Sequence, residues 1–129
     1  MTQPAPVRIL TPFGAILRRA VEATPGAVGG AFAASDGEMV DSYTTWDGDA
    51  WAILTAHYGI VLSQLHAAFG CWHHGSPEYF IAQHHKLDVL VGAVDTGYYV
   101  LLAIESPRPL ARALDTLHTA AAALRKEMA

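Results

Sequence analysis

Apolar residues recur at two different periods along the chain, and the switches between them divide it into elements. From Pro12, the residues Phe13, Ile16, Leu17, Ala20 and Val21 stand three and four apart, which predicts a short amphipathic helix with Thr11 as N-cap and Pro12 at its first position. Pro25-Gly26 ends it, because proline lacks the amide hydrogen and disfavours a helical residue before it. Val28–Ala34 and Met39–Tyr43 then flank Ser35-Asp36-Gly37-Glu38, and an Asp-Gly pair tolerates the positive φ of a tight hairpin. Gly29, Gly30 and the alanines around Phe32 leave the first strand little bulk, so a helix is expected close across the sheet. After Trp46-Asp47-Gly48-Asp49, with Asp47 or Asp49 as N-cap, the residues Trp51, Leu54, Tyr58, Val61, Leu62, Leu65 and Phe69 return at helical spacing, up to Gly70 or Gly75. That stripe is wider and more aromatic than one sheet face of a small domain needs, which predicts burial against a second protomer as well.

Three β-type runs follow, Glu78–His84, Leu87–Val94 and Tyr98–Ile104, and they read as a meander. The last two are nearly continuous apolar runs, so both are expected as central strands covered on two faces. Tyr79–Gln83 reads instead as an edge strand whose apolar character invites pairing. Ser106-Pro107 then opens a helix through about Met128, with Leu110, Leu114, Leu117, Ala121 and Leu124 on one face. The resulting order, α-β-β-α-β-β-β-α, predicts an α+β sandwich on a five-stranded antiparallel sheet, not the alternating βαβ units of a nucleotide-binding fold. Residues 1–10 read as a flexible leader and 11–129 as one domain, in keeping with 129 residues and 13.8 kDa.

Particular stretches within that order resemble the Roadblock light-chain family, across nearly the whole chain. They are the Pro-Gly-x-x-Gly-Gly-Ala entry at Pro25–Ala31 with Ser35-Asp36-Gly37 after it, then Lys86-Leu-Asp-Val-Leu-Val, and Asp95-x-Gly97-Tyr-Tyr-Val-Leu-Leu-Ala-Ile104 before a C-terminal helix. The family includes the dynein light chain Roadblock, subunits of the lysosomal Ragulator scaffold and bacterial polarity regulators that act on a Ras-like GTPase. The resemblance implies a Roadblock/profilin-like fold extended across a homodimer, in which third strands join two sheets and second helices pack side by side. It thereby places Trp51, Leu54, Tyr58, Leu62 and Leu65 on the helix and Tyr79, Phe80, Ile81 and Gln83 on the strand at the interface. It further implies a non-catalytic platform for a small Ras-like GTPase or a related Roadblock subunit, at times modulating hydrolysis by orienting the GTPase's own groups. Cys71–His74, the His84–His85 turn and the Trp46/Trp51 pair depart from the family pattern.

Composition narrows the remaining classes. With 52% hydrophobic and 16% charged residues the chain is too apolar to be disordered. The net charge of −4, with basic residues never more than two together, argues against a nucleic-acid partner. The uncharged stretch Ala50–Ala68 is broken by His57, Ser63, Gln64 and His66, which argues against a membrane span. No basic segment precedes an apolar one at the N-terminus, so a cytoplasmic address is expected.

Candidate chemistry is sparse, and no cofactor is expected. Gly26–Gly30 enters a strand, whereas a phosphate cradle leaves a strand and opens a helix. Asp47-Gly48-Asp49 lacks the ligand spacing of a calcium loop. Seven histidines make a metal site worth testing, with Cys71, His73 and His74 as ligands, joined by His66; the rival reading is a polar loop leaving the second helix. Cys71 beside two imidazoles has the neighbours of a thiolate nucleophile, but no oxyanion donors or cleft are signalled. His84–His85 at a hairpin corner are either solvated turn residues or a contact that responds to pH. The alternative to a GTPase platform is therefore a small profilin-like or PAS-like sensor that binds a metal or small ligand through histidines.

Overall fold

A computed structural model describes residues 11–70 and 73–129. The leader and Cys71 lie outside the described residues. Eight elements run in the expected order: α1 (Pro12–Ala23), β1 (Ala27–Ala34), β2 (Met39–Thr44), α2 (Gly48–Phe69), β3 (Tyr79–Gln83), β4 (Asp88–Asp95), β5 (Tyr98–Ile104) and α3 (Leu110–Met128). The strands form one antiparallel sheet in the order β2-β1-β5-β4-β3, so β4 and β5 are central and β3 is an edge.

Local chemistry sets the boundaries. The Thr11 hydroxyl accepts from the Gly14 amide at 3.1 Å and caps α1, while Asp47 Oδ2 accepts from the Ala50 amide at 3.1 Å and caps α2. Gly37, at φ 97°, turns the β1–β2 hairpin. The start of α3 differs from the sequence expectation: it begins at Leu110, not at Ser106-Pro107. Arg108 is held at φ 55°, off the helical path, and its guanidinium reaches back to the carbonyls of His84 (3.3 Å) and His85 (2.9 Å) and to Asp88 (3.5 Å). Those tertiary bonds postpone the helix by one turn.

Strand alternation sends side chains to two separate cores. Phe32, Leu90, Val94, Val100, Leu102 and Ile104 face α1 and α3, packing on Leu17, Leu117 and Leu124. Ala31, Ala33, Val89, Val91, Tyr99, Leu101 and Ala103 face α2, packing on Trp51, Tyr58 and Leu62. The small residues of β1 thus admit helices on both faces: a Cβ on Gly29 would stand 2.7 Å from the Trp51 ring, and one on Gly30 would stand 3.5 Å from Leu17.

Candidate interaction surface

The helix α2 is apolar on two opposite sides. At about 100° per residue, Trp51, Thr55, Tyr58 and Leu62 share one side, and Ile53, His57, Ile60 and Gln64 share the other. The first set is buried on the sheet, at 1%, 2%, 8% and 2% exposure. Tight seating explains this. Gly59 has room only for hydrogen, since a Cβ there would meet Tyr99 Oη at 2.5 Å, and that hydroxyl donates to the Thr55 carbonyl at 3.0 Å. Burial pushes the Tyr99 and Tyr58 phenols up from their ordinary value.

The other side faces outward. Ile53 is 59% exposed and Ile60 57%, with Val61 at 38% on the flank between the two sides. A groove of about 400 Å³ runs along the other flank, between α2 and the β1–β2 turn, lined by Asp36, Ala56, Ile60, Ser63, Gln64 and Ala67 among others. The Ser63 hydroxyl donates to the Ser35 carbonyl at its edge.

Beside α2 lies β3. Its register with β4 points Phe80 and Ala82 toward the α2 side of the sheet, and Tyr79, Ile81 and Gln83 toward the α3 side. The Phe80 ring lies 6.1 Å from that of Tyr58, so the helix reaches to the edge strand. Tyr58 also hydrogen-bonds His84 Nε2 in the turn after β3, which makes His84 a tie between helix and sheet instead of a merely solvated turn residue. Tyr79, 40% exposed, stacks edge-on against His118 of α3 at 5.2 Å.

Of the residues expected at the interface, Trp51, Tyr58 and Leu62 belong to the intrachain core beneath α2. Leu54 and Leu65 are half-buried at the margins of the helix, Phe80 and Ile81 are half-buried on β3, and Tyr79 and Gln83 are exposed. Ile53 and Ile60, outside that set, stand exposed on the side opposite Trp51 and Leu62. Among the described residues, no group of three His, Cys, Asp or Glu side chains is placed to hold a metal ion. His73 and His74 stand together, ring centroids 5.9 Å apart, in the exposed turn after α2. No helix among the described residues is long and apolar enough to cross a membrane.

No protein-family model matches the chain, and no curated protein matches it. Solved structures do. The Roadblock/LC7 domain from Streptomyces avermitilis superposes with a TM-score of 0.77 at 13% identity, over 88% of this chain and 94% of that one. The fold is that of the Roadblock/LC7 domain. Myxococcus xanthus MglB shares it with a TM-score of 0.82 at 11% identity, over 94% of this chain and 98% of its own. So does a structure described as MglB with tetrameric arrangement, at 0.79 and 14%, over 97% and 96%. At such identities the Roadblock/LC7 likeness is one of backbone path. The side chains that decorate α2 and β3 are this chain's own.

Proposed function

We propose that this chain is one half of a homodimeric, non-catalytic scaffold or regulator that docks a small Ras-like GTPase. The observation that carries the reading is an apolar α2 that stands open to water, at Ile53 and Ile60 on the side away from the sheet and at Val61 on the flank toward the β3 edge. A second copy suits the β3 edge and the flank of Leu54, Val61 and Leu65 at once, and leaves Ile53 and Ile60 open to a further partner. Two β3 edges joined antiparallel make one continuous sheet, and the same operation brings two α2 helices together on one of its sides. Tyr79, Phe80, Ile81 and Gln83 then line the strand seam, and Leu54 and Leu65 flank the helix pair. Trp51, Tyr58 and Leu62 act from beneath, by fixing where the helix sits. The Roadblock/LC7 fold and the tetrameric arrangement recorded for MglB support self-association.

The GTPase partner follows from the family resemblance of the sequence, with the helix pair and the joined sheet as platform. Light scattering at micromolar concentration is expected to give twice the chain mass. A pull-down against Ras-like GTPases loaded in turn with GTP and GDP analogues is expected to retain one nucleotide state over the other, because only differential affinity couples docking to the switch. A monomer that retains neither form defeats the proposal.

A further inference from the structure

We infer that the groove between α1 and α3 docks an acidic amphipathic helix of a partner protein. It lies on the face of the sheet opposite α2, so the inference does not depend on the homodimer. The groove has a volume of about 850 Å³, more than twice that of the hollow beside α2. Arg112 Nε at the start of α3 donates to the carbonyl of Ala23 at the end of α1 at 3.0 Å, so the first turn of one helix meets the last turn of the other. Between them Ile16, Ala20 and Ala23 on α1 face Thr116, Ala120 and Ala123 on α3, with the same steps of four and three on each side. Methyl groups in those places leave a trough, and its rows match the ridges of a third helix whose larger apolar side chains recur at that spacing.

Charge decides which helix fits. The chain as a whole stands at −4, yet α1 and α3 hold five of its eight Lys and Arg and three of its twelve Asp and Glu. On the groove itself Arg19 stands on one wall and Arg112 on the other, with Asp115 as the carboxylate among the lining residues. Arg19 is exposed and makes no ion pair among the described residues; the nearby Glu22 is paired with Arg18 at 2.8 Å. The bond from Arg112 Nε to Ala23 leaves the other guanidinium nitrogens as donors. A helix with leucine-like side chains on one side and carboxylates beside them fills the trough and meets both guanidiniums in charge-assisted bonds. The outer side of α2 selects differently, because Ala50–Gly70 contains no Asp, Glu, Lys or Arg.

Fluorescence anisotropy of a labelled synthetic peptide of about 18 residues, about five helical turns, tests this on the full chain. One peptide carries leucines at three- and four-residue spacing with glutamates on both flanks, and a second has lysines in their place. The expected result is saturable binding of the glutamate peptide, with a Kd about tenfold or more below that of the lysine peptide, and a loss of about tenfold or more with Arg19→Glu. Ala23→Trp, at an exposed position in the groove, is expected to weaken binding as well, while Ile60→Asp on the α2 side leaves it unchanged. Circular dichroism confirms that each variant stays folded. Equal binding of the two peptides overturns the inference, as does a loss with Ile60→Asp in place of Arg19→Glu, which moves the contact to α2. No saturable binding up to about 1 mM peptide overturns it too. Cosedimentation with vesicles of phosphatidylcholine and phosphatidylglycerol is the remaining arm: retention that Arg19→Glu abolishes, with neither peptide bound, overturns the helix and assigns the face to an anionic lipid surface. Each of these failures leaves the homodimer standing, because chain mass does not enter the measurement.

Discussion

At Tyr99 a single hydroxyl spans the gap between sheet and helix, in space that the missing side chain of Gly59 leaves open. Tyr99→Phe keeps the ring and loses the bond to the Thr55 carbonyl, so it is expected to cost about 1 kcal/mol in urea titration at pH 7. The same residue carries a pH signature. Because burial raises its folded pKa above the ordinary value near 10, the unfolded chain gives up its proton first. The contribution of Tyr99 to stability is therefore constant up to about pH 10 and falls above it. Tyr99→Phe is expected to shrink that alkaline fall, with Tyr58 supplying the remainder. Arg108 works differently. It is the cation beside Asp88, whose side chain is 2% exposed, and it also donates to the carbonyls of the β3–β4 turn. Arg108→Ala strands a buried carboxylate and is expected to cost about 2–3 kcal/mol, less than a fully enclosed pair because Arg108 itself is partly solvated. Adding Asp88→Asn should recover part of that loss, and a double-mutant cycle measures how much.

At the scale of elements, α2 separates what sequence makes plain from what it hides. The helices α1 and α3 each have a polar side, so their buried stripes of Ile16, Leu17 and Val21, or of Leu117, Ala121 and Leu124, follow from spacing alone. In α2 both sides are apolar. Periodicity finds the helix and its Asp47 cap but does not say which side the sheet takes. The aromatic side is taken because Gly29 and Gly59 leave hollows that admit Trp51 and Tyr99, a fit that exists only once β1, β5 and α2 are assembled. The late start of α3 was hidden for the same reason, since Arg108 is set by partners more than 20 residues away. The flank of α2 toward β3 gives a direct test. Val61→Asp is expected to change the unfolding free energy by no more than about 1 kcal/mol, because Val61 is 38% exposed, yet to reduce the mass in light scattering to that of one chain. A dimer that survives this charge does not use α2.

For the whole molecule, the element order and the placing of β3 at an edge were readable because hairpin turns, proline stops and apolar runs all agree. The two-sided layering follows from the same alternation. The candidate surface was half readable: its strand came from position, while its helix needed the packing. The sheet's two borders are chemically unlike. On the far side β2 carries Asp41, hydrogen-bonded to the Thr11 hydroxyl that caps α1, with Ser42, Thr44 and Thr45 nearby, and its ladder with β1 shifts register at Phe32/Ala33. Growth by strand addition thus has a built-in terminus. In the proposed dimer, once two aromatic borders have met, only kinked borders that carry Asp41, Ser42 and Thr44 remain outermost, and the ribbon stops at a pair instead of lengthening into a fibre.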